Sequence, residues 1–263
     1  MRHLQATNQA ALEALLSSNG VDTSIWGRNT SKSVGDLWQE TDAGESRLVA
    51  NGAFGQLERH VEIVSVTLTR YVYPSIFLCY LHHHVPPHSD SLTHQNTPLS
   101  TPPPPPPIGH PPLFCRETDG RVLYEASQTL PDGRVRSRGA GCLISEKLLS
   151  RDGESWRDGA LRALHEELDT RADQVVVEED SHTLTEERRE AVAALSYPGL
   201  ICVYKVHRVK MRLRSGPWVN PDLLRFSTRE PRGEGQWLRT DWVWRTPDEQ
   251  ARAERESVGE TAQ

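Results

Sequence analysis

The sequence lacks the features that define several large classes of protein. Its 263 residues carry a formal net charge of −6, so the basic excess that marks many nucleic-acid-binding proteins is missing. No apolar run reaches the roughly 18 residues of a membrane-spanning helix. The first residues, MRHLQATNQAALEALL, have no apolar core or small-residue cleavage site of a secretory signal. We therefore expect a cytoplasmic protein without membrane partners, although organellar targeting stays open.

Cysteine and apolar residues are also scarce. The four Cys are scattered without a C-x-x-C pair, which indicates reduced thiols rather than a zinc site or a disulfide framework. Hydrophobic residues make up 36% of the chain, against about 45–50% in an average domain when Gly is counted with them. This shortfall predicts sizeable segments outside any core.

The most informative stretch is 153–170, which reads GESWRDGALRALHEELDT. Ser155 stands where a helix N-cap belongs, and Asp158 completes a capping box with it. The apolar residues then recur at the spacing of one helical face, at Leu161, Leu164 and Leu168. At about 100° per residue, Glu166 and Glu167 fall on the far side of this helix. The stretch thus predicts a capped helix that packs with one side and offers two carboxylates from the other.

This run resembles the Nudix box, the loop–helix–loop of hydrolases that cleave a diphosphate linked to another group. The usual box reads G-x5-E-x7-R-E-U-x-E-E-x-G-U, where U is a bulky aliphatic residue. The residues that match it are Glu154, Arg162, Leu164, Glu166 and Glu167. Three departures from it matter most: Leu148 and Asp169 stand in place of the glycines, and Ala163 in place of the first helical Glu.

The resemblance covers about 55–245, outside the proline-rich insertion described below. The segments LPDGRVR, SEK, GESW and RALHEEL are together similar to an uncharacterised plant-type branch of Nudix-like proteins, which also tends to lack the first helical Glu. The fold that this implies is α/β, a Nudix-type α/β/α sandwich with a mixed β-sheet. We expect an N-terminal helical extension over 1–50, a Nudix-like domain over 51–245 and a polar tail over 246–263.

The function that the resemblance implies is cleavage of a diphosphate linkage in a nucleoside diphosphate-linked compound. Mg²⁺ or Mn²⁺ would neutralise phosphate oxygens and activate water, and such ions need several carboxylate oxygens. The implied catalytic residues are Glu166 and Glu167, the implied metal ligands are these two with Glu154, and the implied substrate contacts are Lys147 and Arg162. Glu167 fits the role of a base as well as that of a ligand.

Alternatives stay open because Ala163 supplies no oxygen ligand. One is a catalytically impaired Nudix-fold module that binds a nucleotide-type ligand without turnover. In the plainest alternative the helix has a solvated acidic face, Lys147 is an exposed loop residue, and Arg162 forms an ordinary i, i+4 pair with Glu166.

Proline and histidine are concentrated in 71–113, which includes an unbroken proline run over 102–107. Proline removes backbone donors and fixes φ, so we expect a disordered or polyproline II insertion at the tip of a hairpin. A protein partner with an aromatic groove could bind 102–112, and the histidines could bind a metal ion. The abrupt change of composition would also fit translated non-coding sequence.

The remaining patterns predict ordinary secondary structure. Helices are expected at 4–16, 33–40 and 185–194, and strands at 54–70, 121–124, 174–177, 201–213, 223–227 and 236–244. The acidic cluster 178–180 fits an extra metal-site carboxylate or a solvated turn. The tryptophans Trp237, Trp242 and Trp244 fit base stacking or sheet packing, and His207 is expected to line the sheet face.

Overall fold

The computed structural model describes residues 2–28, 31–51, 56–72, 117–137, 141–149, 152–189, 196–231 and 235–260. The strands are β1 (Arg2–Leu4), β2 (Arg47–Asn51), β3 (Gln56–Val72), β4 (Glu117–Thr129), β5 (Val135–Arg136), β6 (Ile144–Lys147), β7 (Val175–Arg189), β8 (Ile201–Leu213), β9 (Arg225–Pro231) and β10 (Trp237–Arg245). The helices are α1 (Gln9–Ser18), α2 (Val34–Asp42), α3 (Trp156–Leu168) and α4 (Pro247–Glu260). Within these residues no helix is long and apolar enough to cross a membrane.

β3 is the central strand of the sheet. Along one edge it pairs antiparallel with β2, then β6, then β4, and along the other it pairs in parallel with β8. β7 lies outside β8, β1 lies outside β2, and β10 and β9 continue the sheet beyond β4. The sheet is therefore mixed and largely antiparallel, which confirms the α/β class. The Nudix-type sandwich stays a prediction.

Alternate residues of β3 point to opposite faces of the sheet. Val64 and Val66 lie on the face that α3 covers, where they join a core cluster with Ala160 and Leu164 of the helix. We call this the α3 face. Arg59 points to the opposite face, which the N-terminal helices cover. The two faces of β3 are thus buried by different parts of the chain.

The N-terminal segment packs against the rest of the protein. Leu12 and Leu16 of α1 and Leu37 of α2 form a second core cluster with Tyr197 and Leu200. The same segment adds β1 and β2 to the sheet. Residues 2–51 thus supply strands as well as the predicted helices, while the division of the chain at residue 50 stays a prediction.

Two secondary-structure predictions are wrong. The charged stretch predicted as a helix over 185–194 continues β7 as far as Arg189, and its remaining residues lie outside the described part. Pairing with β8 overrides the local preference there, since the ladder between the two strands continues from Thr183 to Arg189. α1 begins at Gln9 rather than near Leu4, because Asn8 accepts a hydrogen bond from Ala11 N as the N-cap.

The insertion predicted over 71–113 begins later than expected. Tyr71 and Val72 belong to β3, where they pair with Thr118 and Glu117 of β4. The rest of that segment lies outside the described residues, and so do the proposed partner motif at 102–112 and the histidine cluster. The strand predicted over 201–213 matches β8.

Candidate functional site

The start of α3 is fixed by its cap and by close packing. Ser155 Oγ accepts a hydrogen bond from Asp158 N at 3.1 Å and donates one to the Asp158 carboxylate at 2.6 Å. Gly159 permits close approach, since a Cβ built there would lie 2.2 Å from Leu148 Cδ2 and 3.6 Å from the Glu154 carboxyl carbon. The helix is thereby held against the loop that follows β6.

Arg162 joins this loop to the helix. Its Nε and Nη2 donate to the two carboxylate oxygens of Glu154, at 2.8 and 3.0 Å, and Nη2 also donates to Lys147 O at 2.8 Å. Leu149 N donates to the same carboxylate at 2.8 Å. Burial opposes the charge on Glu154, but these bonds lower the pKa of its carboxyl below the usual value. Hydrogen bonding to Glu154 in turn raises the pKa of Arg162.

Two further carboxylates lie around Arg162. Its Nη1 is 3.3 Å from Glu166 Oε2 and 3.9 Å from Glu146 Oε1. Burial raises the pKa of Glu146, and the nearby Glu166 carboxylate adds to that rise. The motif did not single out Glu146. Strand alternation in β6 was the available signal, because Glu146 pairs with Val64 and so lies on the α3 face.

The buried side of α3 is turned away from the predicted one. It consists of Gly159, Ala160, Ala163, Leu164 and Leu168, whereas Leu161 is only partly buried. At about 100° per residue, Glu167 lies within this arc, between Ala160 and Ala163, and its side chain is partly buried. Glu166 lies outside the arc and is exposed. The predicted arrangement, with both carboxylates on the far side, is therefore wrong.

Ala163 occupies the core itself. Its exposed fraction is 0%, and it belongs to the cluster beneath α3. The position at which the Nudix box has its first helical Glu is therefore part of the apolar packing of this protein.

Lys147 lies on the opposite face of the sheet from these carboxylates. It pairs with Ile63 in the β3–β6 ladder, and its Nζ is 2.6 Å from Glu45 Oε2 and 2.8 Å from Glu40 Oε1. Glu40 is also bonded to the buried Arg59, whose Nη2 lies 2.5 Å from Glu40 Oε2. The structure does not bring Lys147 together with the carboxylates of α3 as a substrate contact.

The described side chains do not form a preassembled divalent metal centre. Among the described residues, no group of three or more His, Cys, Asp and Glu side chains could hold an ion. Both oxygens of Glu154 already accept hydrogen bonds from Arg162. The predicted set Glu154, Glu166 and Glu167 is therefore not assembled around a common point.

A cleft of about 410 Å³ opens on the α3 face where β2, β3, β7 and β8 lie side by side. Glu58, only 2% exposed, anchors one end of it. Its carboxylate accepts hydrogen bonds from Asn51 and Arg188 at 2.8 Å and from His60 at 2.9 Å. Burial opposes the charge, yet these bonds lower the pKa of Glu58 to about 2. Arg188 and His60 are thereby held in the wall of the cleft.

Glu62, at the other end of the cleft, begins a chain of contacts that the motif did not predict. Glu62 Oε1 lies 2.7 Å from His207 Nε2, and His207 Nδ1 lies 2.9 Å from His182 Nε2. The His182 ring stacks on Trp156 of α3 with centroids 4.3 Å apart. His207 does line the sheet face, as expected, and is 7% exposed.

The other candidates have structural partners. Glu178 is bonded to Arg212, and Glu179 is bonded to Arg157 at 2.9 Å. Among the predicted stacking residues, Trp242 and Trp244 are buried in the core and Trp237 is exposed. Glu178 and Glu179 therefore serve ion pairing, and the buried tryptophans serve packing.

Comparison with known proteins gives little further information. No protein-family model matches the sequence, and no curated protein matches it. Among solved structures, a C. elegans Ap4A hydrolase in a binary complex aligns with 74% of this chain and 86% of its own length, at 12% identity and a TM-score of 0.33. Similarity this low assigns neither a fold family nor an activity to the chain.

Proposed function

We propose that the chain is a Nudix-like ligand-binding protein that holds a nucleotide-type small molecule without hydrolysing it. The observation that carries this proposal is the double hydrogen bond between Arg162 and Glu154. It uses two residues of the box-like motif to fasten a loop to a helix, so the motif has a structural role that needs no metal ion.

Three features of the site support binding over turnover. Ala163 removes a carboxylate from the helix and is buried. Lys147 is held by Glu40 and Glu45 on the other face of the sheet. The cleft on the α3 face of the sheet has a volume of about 410 Å³, within the range of about 300–1,000 Å³ typical of small-molecule sites.

Hydrolysis of a diphosphate linkage is the second candidate, and the position of Glu167 favours it. That carboxylate lies on the sheet side of α3 and is partly buried, next to the exposed Glu166. A bound Mg²⁺ or Mn²⁺ would supply neutralisation of phosphate oxygens and an activated water. Glu166 and Glu167 are the residues of α3 that would then be needed.

The two candidates are separated by measuring binding and turnover on the same ligands. The purified chain is titrated with nucleotide sugars, dinucleotides and NADH, and release of phosphate-containing products is followed with Mg²⁺ or Mn²⁺. We expect binding of at least one compound without product release.

The double variant Glu166→Gln, Glu167→Gln tests the second candidate. His165→Gln is the matched control, because His165 is an exposed residue of the same helix. Turnover that the double variant abolishes and the control retains would establish hydrolysis and reject the binding-only proposal. Turnover that survives in the double variant would remove both glutamates from catalysis, and absence of any binding would reject both candidates.

A further inference from the structure

His182 reaches His207 because β7 bulges at that point. Glu178 pairs with Lys210 and Thr183 pairs with Arg208, so residues 179–182 stand opposite a single residue of β8. His182 lies in this bulge, and bulges redirect side chains and often occur beside functional sites. The irregularity brings a second imidazole to a buried histidine.

Glu62, His207 and His182 form a chain of hydrogen bonds, which we call the Glu62–His207–His182 chain. The order of these bonds determines which atom accepts a proton. An ionised Glu62 can only accept, so His207 Nε2 carries a hydrogen. Neutral His207 then accepts at Nδ1 from His182 Nε2. This leaves His182 Nδ1 as the atom that takes up a proton, and within the described residues no hydrogen bond to it is formed. The ring of Trp156 covers one face of the His182 ring, with the two planes 10° apart.

Charged or titratable residues flank the Glu62–His207–His182 chain on each neighbouring strand. In the ladders, Glu62 pairs with Lys205 of β8, which pairs in turn with Glu186 of β7. His60 lies two residues before Glu62 on the same face of β3. Val64, the ladder partner of His207, pairs with Glu146 of β6. From α3, Trp156 closes the chain at His182.

The cleft is lined by charged side chains of both signs and by two histidines, His3 and His60. Its three cations, Arg47, Arg188 and Lys205, balance its three carboxylates, Glu58, Glu62 and Glu186, while these two histidines and those of the Glu62–His207–His182 chain are neutral. Glu58 is engaged by Arg188 and His60. Neither Arg47 nor Lys205 forms an ion pair with another described residue. A proton on the Glu62–His207–His182 chain offsets the charge of Glu62 and leaves the cleft positive.

We propose that this cleft binds an oxyanion group of its ligand, a phosphate or a carboxylate, and that binding takes up a proton on the Glu62–His207–His182 chain. Arg47 and Lys205 contact the oxyanion, and the protonated chain removes the repulsion that Glu62 would exert on it. This oxyanion site rests on the proposed function, because it would bind the charged group of the same nucleotide-type ligand.

The test uses sulfate, whose charge stays constant over the pH range in which histidines titrate. Calorimetric titration is carried out at about pH 8 and about pH 5.5, in buffers of different ionisation enthalpy, so that proton uptake is counted directly. We expect sulfate to bind about fivefold or more tightly at the lower pH, with net proton uptake. Equal affinity at both values, or no proton uptake, would overturn the proposal.

Variants of the wall residues locate the effect. Arg47→Ala and Lys205→Ala should weaken sulfate binding. Glu62→Gln should raise the affinity at high pH and remove most of the pH dependence. Lys210→Ala is the matched control, because Lys210 is an exposed residue of β8 that pairs with Thr67 and so lies on the opposite face. Equal weakening in this control would overturn the assignment to the cleft.

The histidine ring signals give a second measurement that does not depend on affinity. Sulfate should move the proton NMR titration midpoints of His182 and His207 to higher pH in the wild-type protein and not in Lys205→Ala. Unmoved midpoints in the wild-type protein at saturating sulfate would also overturn the proposal.

Two small ligands distinguish the source of the oxyanion. Tighter binding of methyl phosphate than of acetate assigns the site to a phosphate-bearing ligand, and the reverse order assigns it to a carboxylate-bearing one. If neither binds better to the wild type than to Arg47→Ala, the oxyanion site is rejected. Proton-linked sulfate binding without nucleotide binding would reject the proposed function alone. Nucleotide binding without proton-linked sulfate binding would reject the oxyanion site alone.

Discussion

Arg162 and Glu154 face each other in a two-point contact, with Nε 2.8 Å from Oε1 and Nη2 3.0 Å from Oε2. The planar guanidinium matches the planar carboxylate, so both bonds form at once. Because Glu154 precedes α3 and Arg162 lies in its middle, the contact closes the loop onto the helix. Two of the residues that resemble a metal-dependent motif are thereby committed to holding the backbone in place.

Replacing Arg162 with Lys should destabilise the protein by about 1.5–3 kcal/mol, since a point charge cannot make both bonds to Glu154. The free energy of unfolding is measured in urea. Arg157→Lys is the control, because Arg157 and Glu179 form an exposed pair, which is worth less than about 1 kcal/mol. Similar losses in the two variants would contradict a structural role specific to Arg162.

Restoring the missing carboxylate with Ala163→Glu should damage the fold and should not create hydrolysis. Ala163 is buried, so the new carboxyl would lose its hydration at a cost of about 2–7 kcal/mol if it found no hydrogen-bond partner. Burial raises the pKa of such a group, so the penalty should be largest at neutral pH and smaller in acid. His165→Glu, at an exposed position of α3, is the control for added charge. A stable Ala163→Glu variant with new turnover would refute this expectation.

Glu40 makes stability depend on pH through its bonds to Arg59 and Lys147. Burial opposes its charge, but the adjacent cations lower its pKa from 4.5 to about 2. Because the folded pKa is depressed, the stabilisation is present above pH 4.5 and is lost as the pH falls towards 2. Glu40→Gln should lower the free energy of unfolding by about 3 kcal/mol at neutral pH. The loss should become progressively smaller as the pH falls from 4.5 towards 2. Asp42→Asn on the same helix is the control, and a loss independent of pH would exclude the linkage.

The proline-rich insertion should be dispensable for folding. Val72 and Glu117 are antiparallel partners at the open end of β3 and β4, so an Asn-Gly turn can replace everything between them. A shorter loop loses less entropy on closure, and we expect the midpoint of thermal unfolding to be unchanged or higher. A variant that fails to fold would show that 73–116 carries required contacts. The same variant tests the predicted partner at 102–112, whose recovery in a pull-down should be lost.

Local elements of the fold were predictable because their signals are local. Ser155 caps α3 as expected, and the alternating residues of 201–213 form β8. The prediction of a helix over 185–194 was wrong, since its charged residues give no local sign that β8 lies beside them. Pairing of β7 with β8 decided its conformation.

The candidate site was harder to predict, because its residues come from strands distant in sequence. Glu62, His182 and His207 meet only because β3, β8 and β7 are neighbours and β7 bulges. The side of α3 that is buried depended on the sheet beneath it, and so leucine spacing alone misplaced Glu167.

The sequence by itself determined the capped helix of the box-like motif and the main strands, since capping and alternation act between near neighbours in the chain. Only the tertiary structure decided that Lys147 lies on one face of the sheet and Glu146 on the other. It also decided that Arg162 forms its two hydrogen bonds with Glu154 and that Ala163 belongs to the core. Those outcomes depend on which strands pair and which helix covers them, and long-range packing sets both.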